Sequence, residues 1–210
     1  MDIPRRIVLA QLGSGLILTT SASAATVLQS TQPLTMGPFY PLTKPADHDA
    51  DLTRVRGRSA RALGQVIEVA GRVFDVRGNP VPHATIEIWQ ANAAGRYFHP
   101  SDRNAAPLDP NFQGYAQIRT NADGRYRFVT VKPGAYPGGR RGMRTPHIHF
   151  QVDGRFNRLV TQMFFPGEPL NATDAVFLEA VSPVEVTATA LARSADGLAR
   201  LEWNIVLQSG

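Results

Sequence analysis

Short runs in which apolar and polar residues alternate recur along this chain, separated by turns rich in Gly, Pro and Asn. In one run Ile86 and Ile88 flank Glu87, and in another Ala116 and Ile118 flank Gln117. A period of two puts one set of side chains into a core and the other on the opposite face, as in a half-buried strand. The pattern predicts strands over residues 65–76, 84–89, 115–120, 125–131, 147–152, 158–165 and 200–207. Arg77-Gly78-Asn79-Pro80 supplies a turn between the first two, and Ala122-Asp123-Gly124 a tight hairpin between the third and fourth. The expected architecture is all-β, a two-sheet antiparallel β-sandwich. Two connections, residues 90–114 and 132–146, are long for such a fold, and long loops on a rigid scaffold are where function concentrates. Residues 173–194, rich in Ala and Val with Pro183 inside, follow neither the strand nor the helix period.

The flanking segments and the composition narrow the picture. Residues 1–24 carry Arg5 and Arg6, an apolar run from Ile7 to Leu18, and Ala22-Ser23-Ala24, the three parts of an export signal cleaved before Ala25. Paired arginines ahead of Ile7-Val8-Leu9 resemble a twin-arginine leader, so the expected location is outside the cytoplasm, in the periplasm. Residues 25–63 are Pro-rich and irregular. No linker or repeat divides residues 64–210, which read as one β-sandwich domain. No later segment reaches the ~20 apolar residues of a membrane span, so no membrane is expected to hold the protein once the signal is removed. Arginines are scattered without interleaved aromatics, which argues against nucleic acid as a partner. The formal net charge of +5 suits small anionic ligands instead. Cysteine is absent, which excludes disulfides, thiolate metal sites and thiol nucleophiles, and leaves N and O ligands for any metal.

His147 and His149 stand two apart in a predicted strand, so both imidazoles face one way while Ile148 and Phe150 face the other. Two nitrogen ligands on a stiff support make half of a metal site, or else a solvated strand face. Each long loop adds a tyrosine hemmed in by Gly or Pro, Tyr97 in one and Tyr136 in the other. A phenol has an ordinary pKa of ~10, so holding two of them as phenolates near neutral pH requires a strongly Lewis-acidic ion, and ferric iron meets that need. Spacing alone leaves Tyr40, Tyr115 and Tyr126 as alternatives. It also leaves open a two-histidine, one-carboxylate Fe(II) or copper oxygenase using Asp102 or Asp109. A non-enzymatic transthyretin-like or carbohydrate-binding module, with Trp89 and the tyrosines as an aromatic platform, is open as well.

Five motifs bear on that choice: WQANAAGRY at residues 89–97, DPNFQG at 109–114, PGAYP at 133–137, RTPHIHF at 144–150 and TQMFFPGEP at 161–169. In this order they resemble the successive motifs of the intradiol ring-cleavage dioxygenases, especially protocatechuate 3,4-dioxygenase subunits, and GPFYP at 37–41 resembles that family's N-terminal segment. The resemblance implies a β-sandwich holding non-haem Fe(III) through Tyr97, Tyr136, His147 and His149, with no organic cofactor. It implies a catechol-type aromatic diol and O2 as substrates and a cis,cis-muconate as product, with Tyr136 displaced as the diol binds. Arg144 matches the family's arginine beside the substrate ring, Gln162 a nearby glutamine, and Trp89 an aromatic of the substrate cavity. Tyr40 either lines that cavity or staples the N-terminal segment. Subunits of the family commonly assemble, so an oligomer is expected. Gly138 and Gly139 stand where protocatechuate enzymes often carry a bulky aromatic, which predicts a wider cavity. The bland reading of His48, His83 and His99 is exposure, and that of Asp102 and Asp109 is loop capping.

Overall fold

A computed structural model of the chain describes residues 27–195 and 197–208; the predicted export signal lies outside them. The strands are β1 (Val66–Asp75), β2 (Thr85–Trp89), β3 (Tyr115–Arg119), β4 (Arg125–Val131), the two-residue pair β5 (Tyr136–Pro137) and β6 (Met143–Arg144), β7 (His147–Asp153) and β8 (Arg158–Phe164). Residues 173–194 resolve into two one-turn helices, α1 (Ala175–Leu178) and α2 (Pro183–Val186), and a short strand β9 (Thr189–Leu191). Strands β10 (Ala199–Glu202) and β11 (Ile205–Leu207) end the order.

Two sheets face each other. One is β3-β2-β7-β8, antiparallel throughout; the other is built on β1, with β4 on one edge and β10 and β11 on the other. Inward residues of both, among them Ile67, Val69, Ile88, Phe128, Ile148 and Phe150, form one apolar core. The expected sandwich holds, with one correction: β10 and β11 run parallel to β1. The chain crosses through α1, α2 and β9 after β8 and re-enters in the direction of β1, a long connection that a parallel neighbour requires.

The run at residues 200–207 is also two strands rather than one. Between them the Trp203 carbonyl accepts a hydrogen bond from Tyr126 Oη at 2.6 Å, and Asn204 Oδ1 accepts one from the Arg72 amide at 2.9 Å. Gly71 is what lets the chain bend in there, since a Cβ at that position would lie 1.8 Å from the Trp203 carbonyl oxygen.

The outer face of the β3-β2-β7-β8 sheet positions the site. Register aligns Tyr115, Trp89, His149 and Gln162 in one row across four strands, with His147 opposite Phe164 next to it. Both histidines are buried although they point away from the core. The N-terminal segment covers them: the Leu34 amide donates to the Val160 carbonyl at 2.9 Å, and Gly37 lies so close that a Cβ would be 3.2 Å from His149 Cε1. Among the described residues no helix is long and apolar enough to cross a membrane.

Candidate active site

The two long loops bring the tyrosines to this covered face. In the first, Asn92 Oδ1 accepts the Ala94 and Arg96 amides, and Asp102 Oδ2 accepts the Tyr97 amide at 2.8 Å, so side-chain acceptors replace a strand ladder in shaping the turn. The second loop is pressed against it. The Gly134 amide donates to the Asn92 carbonyl at 3.0 Å, and Cβ atoms at Gly95 and Gly134 would meet backbone atoms of the facing loop at 2.3 and 2.5 Å. Only glycine fits at such an approach, and Gly95 also takes a left-handed φ of 79°.

Four rings converge there. Ring centroids lie 5.3 Å apart for Tyr97 and Tyr136, 5.5 Å for Tyr136 and His147, 4.9 Å for His147 and His149, and 6.3 Å for Tyr97 and His149. His147 Nδ1 is 2.6 Å from the Thr145 carbonyl, which can only accept, so Nδ1 carries the proton and Nε2 keeps a free lone pair. That Nε2 is 3.3 Å from Tyr136 Oη. Tyr97 Oη is buried and has no well-formed hydrogen bond, the Tyr136 phenol being the group it interacts with, and His149 Nδ1 is also unpartnered. Burial raises the pKa of both phenols, Tyr97 well above its ordinary value. Burial also depresses both imidazoles, helped by the Arg144 charge at His147 and by His147 and Arg144 at His149. All four groups are therefore neutral without a cation, and a cation binding among them would release phenolic protons.

The three alternative tyrosines have other places. Tyr126 bonds the Trp203 carbonyl, Tyr40 bonds Glu87, and Tyr115 packs beside Glu87 and Lys44 at the far end of the row. The carboxylate alternatives fall too. Asp102 is spent on the Tyr97 and Asn104 amides, and Asp109 on those of Leu63 and Asn111. Among the described residues no third His, Asp or Glu joins His147 and His149 to hold a metal. His48 and His83 are exposed, as expected. His99 departs from that expectation: it is half-buried, 5.8 Å from the Phe39 ring, with Nε2 unpartnered.

Arg144 comes from β6, opposite Tyr136 in register, and is 5% exposed. Its Nε donates to Asp174 Oδ2 at 2.9 Å and a terminal nitrogen to Gln162 Oε1 at 2.6 Å, while Gln162 Nε2 donates to the Thr35 carbonyl at 2.8 Å. Asp174 is the residue that sequence reasoning missed. Fully buried, it also accepts the Thr145 amide at 2.7 Å and caps α1 through the Val176 and Phe177 amides at 2.8 and 3.0 Å. An aspartate directly before the apolar Ala175-Val176-Phe177 is a helix-start signal, the one cue that was available.

A cavity of about 720 Å3 opens beside the rings, bordered by Gly37, Phe39, Arg103, Tyr136, Gly138 and Arg144. Gly138 and Gly139 both line it, as their place in the sequence led us to expect. Trp89 and Tyr40 do not. Trp89 stacks on His149 at 4.9 Å and 7°, Tyr40 meets Trp89 edge-on at 5.0 Å, and Trp89 borders a second cavity of about 670 Å3 beyond Phe39. Trp89 thus supports His149 directly, while Tyr40 braces Trp89 and bonds Glu87, the stapling place that the sequence had left open for it.

Fold and pocket define a β-sandwich protein with a buried donor set of two tyrosines and two histidines. Comparison with known proteins agrees: the family model described as Dioxygenase matches residues 35–209. The protocatechuate 3,4-dioxygenase beta chain of Burkholderia cepacia is 53% identical over 137 residues, 63% of this chain and 57% of that protein. A hydroxyquinol 1,2-dioxygenase of Rhodococcus opacus is 33% identical over 175 residues, 76% of this chain and 54% of its own. Among solved structures, the dioxygenase domain of a dioxygenase carbohydrate-binding protein fusion from Streptomyces sp. SirexAA-E superposes with a TM-score of 0.67 at 28% identity, covering 87% of this chain and 100% of that one. The chain belongs to the intradiol ring-cleavage dioxygenase family. It spans little more than half the length of these two curated relatives.

Proposed function

We propose that this protein is a non-haem Fe(III) intradiol dioxygenase. It inserts both atoms of O2 into a catechol-type diol, protocatechuate or a related catechol, and opens the ring between the hydroxylated carbons to a cis,cis-muconate. The observation that carries this reading is the Tyr97 hydroxyl, buried and without a well-formed hydrogen bond in a ring of aromatic N and O donors. Tyr97, Tyr136, His147 and His149 are the residues that would hold the ion. When bound, it supplies Lewis acidity for the diol and its reaction with oxygen.

The surrounding residues do the rest. Tyr136 is the donor that also borders the cavity, so its Oη is placed to take a proton from an entering diol hydroxyl and to move aside. Tyr97 lies behind it and stays. The Thr145 carbonyl keeps the His147 tautomer fixed, with Nε2 turned inward. Arg144, held at two of its nitrogens, keeps a preorganised positive charge beside the ring where negative charge builds. Phe39 and the N-terminal segment keep bulk water from the rings.

Iron-loaded protein is expected to be red-brown, from charge transfer between tyrosinate and ferric iron, and to consume O2 with a catechol. With 18O2, both labelled atoms should appear in the ring-opened product. Colourless iron-replete protein would reject the reading. We carry export and oligomeric assembly as parts of the same proposal, the first on Arg5, Arg6 and Ala22-Ser23-Ala24. Protein recovered from the periplasm is expected to begin at Ala25, and an intact Met1 in that fraction would count against it.

A further inference from the structure

We propose that the cavity beside Tyr136 takes a catechol carrying a side chain several atoms long that ends in a carboxylate, with Arg103 and Ser101 receiving the carboxylate. The proposal rests on the reading of the site as a catechol-cleaving one and names its substrate class. Size comes first. About 720 Å3 lies within the ~300–1,000 Å3 of pockets that enclose drug-sized ligands, far more than one six-membered ring fills. The room arises at Gly138 and Gly139. A Cβ at Gly138 would lie 2.8 Å from Arg144 Cγ, so the course of Arg144 toward Asp174 keeps that wall bare, and Gly139 faces open space.

Charge comes second. Ser101 and Arg103 line the same cavity with exposed side chains, and among the described residues neither side chain has a hydrogen-bond or ion-pair partner. The carboxylate next in sequence does not neutralise Arg103. Asp102 is 6% exposed, turned onto the Tyr97 and Asn104 amides, with Arg96 Nε at 3.7 Å. Arg144, the other cation of the lining, is already balanced by Asp174. Arg103 is thus a cation without a counter-ion among the described residues, at the wall of a cavity of about 720 Å3, and its planar fork matches a carboxylate. Phe39 and Pro137, also in the lining, suit the carbon atoms between ring and carboxylate.

The test compares kcat/KM of the iron-loaded full chain for dihydrocaffeate, whose side chain ends in a carboxylate, with that for propylcatechol, its neutral counterpart of equal length. The wild-type ratio is expected to favour dihydrocaffeate by about fivefold, the scale of one partly exposed charge-assisted contact. Arg103→Ala should bring the ratio close to one and Arg103→Glu should invert it. Arg140→Ala, which changes an exposed arginine outside the lining, should leave it as in the wild type. Salt should reduce the wild-type ratio by screening. A wild-type ratio of one, or a preference that survives Arg103→Ala, overturns the carboxylate site while leaving ring cleavage intact. Turnover of neither compound, nor of catechol, by iron-replete protein overturns the parent reading and this one together.

Discussion

Tyr97→Phe protein, reconstituted with iron, is expected to lose part of the visible absorption and at least about a hundredfold of the oxygen-uptake rate, since even the outer partners of metal ligands are worth about 10–100-fold. The substitution deletes one oxygen and keeps the ring. Contacts with Phe39 at 4.6 Å and Tyr136 at 5.3 Å persist, so the loop has no packing reason to move. In the metal-free protein the expected sign is opposite. A buried hydroxyl with no well-formed hydrogen bond carries a desolvation cost of about 1–3 kcal/mol, and removing it should leave stability equal or higher. Thermal unfolding with and without iron, alongside the spectrum, reads both signs. Unchanged absorption and rate would remove Tyr97 from the donor set.

Asp174→Ala should lower the unfolding free energy by roughly 3–5 kcal/mol, the usual cost of stranding one partner of a buried ion pair, or roughly 10 °C in Tm for a chain of this size. It leaves Arg144 without its counter-charge, the Thr145 amide without its acceptor and α1 without its cap. Asp174→Asn keeps the capping oxygen and removes only the charge, so it should recover about 1 kcal/mol of that loss. Oxygen uptake should fall in both variants, chiefly in kcat, as Arg144 loses its fixed position beside the cavity.

The pH dependence arises from the same contacts. Burial alone would raise the Asp174 carboxyl pKa, but the Arg144 charge and the Phe177 and Thr145 amides outweigh it and the net shift is downward. Its stabilisation is therefore complete above the unfolded value of ~3.9 and is lost as pH falls through the lower folded value. The stability gap between wild type and Asp174→Asn should be widest near neutral pH and close on the acid side. Urea midpoints across that range measure it, and a constant gap would contradict the assignment.

Much of this site was legible in the chain, for identifiable reasons. Alternation around His147 and His149 places both on one strand face whatever the rest of the fold does, whereas it took the resemblance of ordered motifs to single out Tyr97 and Tyr136 from Tyr40, Tyr115 and Tyr126. What pattern reading cannot supply is which side of a histidine a neighbour occupies. Trp89 lies in register with His149, and that pairing makes it a stacking support for the imidazole as well as part of a cavity wall. Asp174 escaped notice because its helix is a single turn, too short for any periodicity to show. The parallel course of β10 and β11 escaped for a related reason: direction in a sheet is set by the crossing segment, and residues 173–194 carry little pattern.

The near-contact of Gly95 and Gly134 with each facing loop has a consequence for how such a site can vary. Because backbone touches backbone there, the two phenols are carried on what is mechanically one body, and their spacing does not depend on how side chains elsewhere repack. The cavity wall at Gly139 lies outside that clasp, with no heavy atom beyond its chain neighbours within 4 Å of where its Cβ would be. Changes confined to that wall should therefore alter what the cavity accepts and leave the 5.3 Å spacing of the Tyr97 and Tyr136 rings as it is.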